Sequence, residues 1–143
     1  MNMKDKYQQI TEAVISHFPA RLNGLLAPEA IDCSEDTQTS RVRFTAKEWE
    51  KNQRGELHGG AAASMFDTCM GITAAAFADS NVTTADLSVS YIRPFTGSSY
   101  IFESKVVHLG RTLIRIEGKA FDESSGKLLA SAQGMFVRIG GAV

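Results

Sequence analysis

Asp67 is the only charged residue between His58 and Asp79, in a run of small and apolar residues. An ionised carboxylate buried without a partner costs several kcal/mol or takes up a proton. A structural acid in such a run calls for a basic partner, and none lies within a helical turn. The residues at that spacing are Ala63, Ser64, Met70 and Gly71, with Gly60 on the same side. So little bulk leaves room for a substrate beside the acid. The non-catalytic alternatives are an acid turned to solvent at the helix edge or one bonded to the backbone of a neighbouring strand.

The run opens on His58-Gly59-Gly60. The first N–H groups of a helix have no internal partner, and the helix dipole is positive there. Glycines let another group approach that backbone closely. A carbonyl oxygen held on the Gly59 N–H would be polarised towards attack, and one such donor is worth about a hundred- to thousand-fold in rate. Gly59 and Asp67 lie eight residues apart, about 12 Å along a helix. One helix therefore cannot bring both to one substrate atom. Two antiparallel copies can, so joint use of both residues predicts a symmetric dimer with paired sites.

These residues need elements to hold them. Apolar spacing predicts a helix over about 4–17, within an N-terminal segment 1–20, closed by Pro19. Strands are expected over about 25–33 and 37–45, the second with Val42 and Phe44 on one face and Arg41 and Arg43 on the other. A short helical turn at 46–50 and a loop at 52–57 lead into a long helix at 59–78. Four period-two segments follow, at about 83–92, 99–109, 112–122 and 127–139, separated by glycine, proline and serine turns. Short turns between consecutive strands predict antiparallel neighbours. Six strands and one apolar helix make an α+β layer. The many small residues of the helix should let a curved sheet approach it closely.

The chain has 143 residues and a net charge of −1, the size of one domain with no global basic field for nucleic acid. Three separated histidines and two distant cysteines argue against a metal site and for free thiols. No uninterrupted apolar run reaches the ~18 residues of a membrane span, and the first residues lack a signal-peptide core. The expected location is the cytoplasm. Cys69 has no nearby cation to activate it and reads as core, as do Met65, Phe66, Met70 and Phe77. His17 is expected at the surface.

The pattern Asn52-x5-His58-Gly59-Gly60-x6-Asp67 resembles the hotdog-fold acyl-CoA thioesterases of the phenylacetate-pathway (PaaI) type. Thr84-x-Asp86, Tyr91-Ile92-Arg93-Pro94, Gly110-Arg111-Thr112 and Gly126-Lys127-Leu128-Leu129-Ala130 extend the likeness from about residue 25 to 139. The resemblance implies a single hotdog domain over 1–143, an antiparallel six-stranded sheet wrapped around a long central helix. It also implies dimers with interfacial sites, commonly paired as dimers of dimers, and thioester hydrolysis without a cofactor, coenzyme A being part of the substrate. By the same likeness Asp67 is nucleophile or general base, Gly59 donates to the thioester oxygen, and Asn52 and His58 shape the site. Thr84 stands where a hydroxyl orients the attacking water.

Coenzyme A carries phosphates, so a few cations should stand at the site's mouth. His108, Arg111 and Arg138 are the candidates, with Arg93 a further one, and Tyr91 and Gly60 are candidates for lining the channel. Two rivals stand beside hydrolysis. One is hydration or dehydration of an acyl thioester, using His58 with Asp67. The other is a hotdog module that binds acyl-CoA without turning it over.

Overall fold

The computed structural model describes residues 1–143. Helix α1 (Met3–His17) starts on Asn2, whose side chain accepts the Asp5 N–H at 2.8 Å, and it buries Tyr7 and Thr11. His17 is exposed. A short helix α2 (Leu22–Leu26) follows and takes in Leu25 and Leu26, where the first strand was expected to begin. Leu22 and Leu26 are four apart, a helical interval, and only Leu26 is buried. Ala27 then takes the left-handed conformation (φ 52°) and Pro28 stops the helix. Strand β1 therefore begins later, at Glu29–Ser34, and pairs with β2 (Thr39–Thr45). On β2, Ser40, Val42 and Phe44 are buried and Arg41 is exposed, the predicted alternation. A single turn of 3-10 helix (Glu48–Glu50) precedes the long helix α3 (Gly59–Ala78).

Strands β3 (Asn81–Tyr91), β4 (Ser99–Leu109), β5 (Leu113–Asp122) and β6 (Leu128–Gly140) complete one antiparallel sheet, in the order β1-β2-β4-β5-β6-β3. It packs around α3 in the hotdog arrangement. One expectation fails here. β3 pairs with β6, not with its sequence neighbour β4. α3 carries the chain across the sheet, so β3 emerges at the far edge. The segment 92–98 then returns over the strand ends instead of turning tightly, and Ile92 and Arg93 donate their N–H groups to the Leu129 carbonyl at 2.8 and 3.0 Å.

Close approach of helix and sheet comes from the sheet side more than the helix. A Cβ on Gly118 of β5 would sit 2.9 Å from Met70 Sδ and Phe66 Cδ1, and one on Gly134 of β6 would sit 2.8 Å from Met70 Cε. The large residues of α3 thus press onto bare strand backbone. Phe66 stacks edge-on against Phe102, which meets Phe44 in the same way. By length and composition α3 is also a membrane-span candidate, with a mean hydropathy of 1.3, contrary to the reading from uninterrupted apolar runs. Here it is the core helix, its buried face turned to the sheet. Cys33 and Cys69 are free and buried, and burial pushes their thiols up to about 11 and about 12.

Candidate active site

The start of α3 is held from several directions. His58 donates its N–H to the Glu50 carbonyl at 2.8 Å, and Leu57 donates to the Phe95 carbonyl at 3.0 Å. The His58 ring caps the helix: Nδ1 accepts the Gly60 N–H at 2.8 Å, so a neutral ring carries its proton on Nε2. The Tyr91 hydroxyl donates to the Gly59 carbonyl, and its ring lies 3.6 Å from where a Gly59 Cβ would be. The first turn is pinned by side chains on both flanks, while the Gly59 N–H itself has no acceptor in the protein.

Asn52 builds the loop before this helix. Its Oδ1 accepts the N–H groups of Arg54 (2.9 Å) and Glu56 (3.2 Å), while its backbone N–H bonds to the Glu56 carbonyl at 2.8 Å. Asn52, Gly59, Tyr91 and Arg93 line one depression of about 320 Å³.

Asp67 is half-buried two turns along α3. It has no cationic partner; its Oδ1 accepts the Thr84 hydroxyl of β3 at 2.7 Å. The bond goes to a strand side chain and not to strand backbone, and it leaves Oδ2 without a hydrogen-bond partner in the protein. Asp67 and Thr84 line a second, larger groove of about 900 Å³, whose walls come from α1, α3, β3 and β6. Thus one protomer gathers Asn52, Gly59 and Tyr91 at one place and Asp67 and Thr84 at another, about 12 Å apart along α3. It does not join the two sets.

The proposed phosphate cations stand elsewhere. Arg138 is committed: Nε donates to the Gly110 carbonyl at 3.0 Å and Nη1 to the Ala78 carbonyl at 2.6 Å. It closes the C-terminal end of α3, where a cation complements the helix dipole, so its reading as a free phosphate ligand loses its support. His108 and Arg111 flank the same β4–β5 turn and are exposed. Gly59 and Ala78 are the two ends of α3, about 28 Å apart. These cations therefore lie far from the Gly59 amide of their own chain. Arg93 uses Nη1 on the Leu128 carbonyl at 2.6 Å.

Glu50 is a residue that sequence reasoning missed. It is 1% exposed, its Oε1 accepts the Lys47 N–H at 2.8 Å, and its Oε2 has no hydrogen-bond partner, the Lys47 ammonium standing 3.9 Å away. Burial raises its carboxyl above the usual range, against the weaker opposing pull of Lys47. Its carbonyl is the one that anchors His58. A glutamate between Trp49 and Lys51 in a polar turn gives no sign of burial in the sequence.

A family model described as the thioesterase superfamily matches residues 54–129, more than half of the chain. A protein of Saccharolobus solfataricus bearing the name "Putative esterase" is 32% identical over 94 residues, which cover 65% of this chain. The chain spans 66% of the length of that relative and 41% of the length of another. Among solved structures, the PaaI protein of the E. coli phenylacetic acid degradation operon superposes with a TM-score of 0.82 at 19% identity, covering 99% of each chain. A Streptococcus mutans protein solved with acetyl CoA bound has a TM-score of 0.73 at 16% identity, covering 81% of this chain and 91% of that one. At these identities the two structures show the fold.

Proposed function

The chain belongs to the thioesterase superfamily, and we propose that it hydrolyses acyl-CoA thioesters at sites completed by two subunits. The observation that carries this reading is the Asp67 carboxylate, free of any cation, aimed by the Thr84 hydroxyl at 2.7 Å and set at the wall of an open groove. The thioester oxygen rests on the Gly59 N–H of one subunit. Asp67 of the other either takes a proton from water as that water attacks the carbonyl carbon, or attacks the carbon itself and is then released by water. The C–S bond breaks in both routes. The coenzyme leaves as thiolate and takes up a proton, and the carboxylic acid remains. The amide bears the developing oxyanion charge.

The geometry of His58 favours hydrolysis over hydration. Its Nδ1 is occupied by the Gly60 N–H, so the neutral ring offers only a donor, Nε2–H, and no free base. The acetyl CoA held by the Streptococcus mutans relative supports a coenzyme A thioester as the class of substrate.

Subunit complementation tests the arrangement. Proline suits the first position of a helix, and His58 already has the extended conformation (φ −62°, ψ 138°) that a following proline requires. Gly59→Pro therefore removes the amide donor and keeps the helix. Asp67→Asn removes the acid. Each variant alone should fold, dimerise and lose more than a hundredfold in thiol release over an acyl-CoA panel. Mixed dimers rebuild one site of two from the intact halves and should recover activity. Wild-type turnover by Asp67→Asn, or no recovery on mixing, sinks the shared site. Tight acyl-CoA binding with no thiol release from the wild type would favour the binding module.

A further inference from the structure

The larger groove has a direction. α1 runs antiparallel to α3: Asn23 of α2, beyond the end of α1, accepts the hydroxyl of Thr68 in the middle of α3 at 2.7 Å, while Lys6 near the start of α1 reaches Asp79 at the C-terminal end of α3. From Asp67 the groove follows Gly71, Ile72 and Ala75 along α3, with Ile10, Ala13 and Val14 of α1 on one side and Val82 and Phe136 on the other. Gly71 keeps the floor open: a Cβ there would meet nothing nearer than Phe136 Cε1, at 3.5 Å. The far end is closed by the chain termini, Met1 and Val143, and by polar groups. Lys6 and Asn81 stand there, the first paired with Asp79 at 2.8 Å and the second donating to the Ala142 carbonyl at 3.0 Å.

We infer that this groove is an acyl-chain ruler, and that the substrate class is the straight-chain acyl thioester of about eight to ten carbons. The inference rests on the proposed thioester hydrolysis and names its acyl group. Asp67 to Ala75 is about 12 Å. Each C–C bond of about 1.5 Å advances an extended chain by about 1.3 Å, so that span holds about nine or ten carbons. A shorter or aromatic acyl group leaves the distal apolar wall wet. A longer chain runs into the Lys6–Asp79 pair and Asn81, where burying methylenes against charged groups gains nothing.

The ruler makes a graded prediction, because α3 presents its floor once per turn. Gly71→Val projects towards Phe136 one turn, about 6 Å, from Asp67, and should exclude chains beyond about five carbons. Ala75→Leu, two turns away, should exclude only those beyond about nine. The experiment measures kcat/KM for saturated acyl-CoAs from two to sixteen carbons, and in parallel the affinity of non-hydrolysable alkyl-CoA thioethers of the same lengths. For wild type, affinity should rise about two- to fourfold per methylene up to about ten carbons and then level off. Gly71→Val should lose at least tenfold on decanoyl-CoA and less than twofold on acetyl-CoA. Ala75→Leu should lose tenfold only on the longest chains.

Flat length profiles with active enzyme, or equal losses at every length, would overturn the ruler. Length-dependent thioether binding without thioester hydrolysis would leave the ruler standing and remove the hydrolase reading. If either substitution instead dissolves the dimer by light scattering while the length profile stays as wild type, the groove is a subunit contact and the ruler falls.

Discussion

Thr84→Val is the most informative single change at the candidate centre. It is nearly isosteric and removes only the hydroxyl that donates to Asp67 Oδ1 at 2.7 Å. Two effects oppose each other. The hydroxyl engages one carboxylate oxygen, so losing it frees that oxygen for a water or a substrate. The hydroxyl also fixes the carboxylate plane, and a misplaced catalytic group can cost a hundredfold. A hydrogen bond to a charged group is worth about 1.5–3 kcal/mol. Thr84 is exposed, so water replaces much of that bond when the hydroxyl goes. Water does not restore the aim. Orientation therefore wins, and turnover should fall about ten- to hundredfold, a barrier increase of about 1.4–2.7 kcal/mol. The assay is thiol release at saturating acyl-CoA, with a thermal melt to show an intact fold. The decisive arm is a double-mutant cycle. If Thr84 acts only through Asp67, Thr84→Val should cost nothing further in an Asp67→Asn background. Additive losses, or a Thr84→Val enzyme at least as fast as wild type, would refute the reasoning.

Three further outcomes follow from the packing. Gly118→Ala places a methyl 2.9 Å from Phe66 and Met70 and should cost about 1–3 kcal/mol, lowering the melting temperature by several degrees. Phe66→Leu in that background should recover part of the loss. The Glu123 carboxyl is held down at about 2 by the Arg43 guanidinium, with a 2.7 Å ion pair, and by Ser99. A depressed folded-state value means stability that is present above about pH 4.5 and lost as pH falls towards about 2. Glu123→Gln should therefore flatten acid unfolding across that window, and a wild-type slope in the variant would deny the pair its role. Both cysteines, buried and with thiols pushed upward, should be silent to an aromatic disulfide reagent until denaturant is added. The same silence keeps the thiol-release assay clean.

Local features were legible in the sequence, and long-range ones were not. The long helix begins and ends where glycine spacing and apolar composition place it, at Gly59–Ala78, and β4 matches at Ser99–Leu109. Asp67 stands out because charge within an apolar run is a local signal. The partnership of β3 with β6 was hidden, because period-two alternation reports which face of a strand is buried and says nothing about its neighbour. Arg138 was misjudged for a similar reason: the two carbonyls it satisfies, Gly110 and Ala78, lie 28 and 60 positions away. Leu25 and Leu26 read as strand because a five-residue helix is too short to show a period. Thr84 was named only through family likeness, since seventeen residues separate it from Asp67.

The docking of α1 has a consequence for how sharply this molecule can sort its ligands. Tyr7 is 1% exposed, and the Thr73 hydroxyl lies 3.5 Å from its hydroxyl and 2.6 Å from that of Ser40. A helix seated on grease alone can slip lengthwise at little expense, but one whose phenol sits in a buried polar socket cannot. Moving α1 by a turn would strand those hydroxyls away from both water and each other. The amino-terminal segment is thus latched, and any selectivity written on its inner face should be steep rather than blurred.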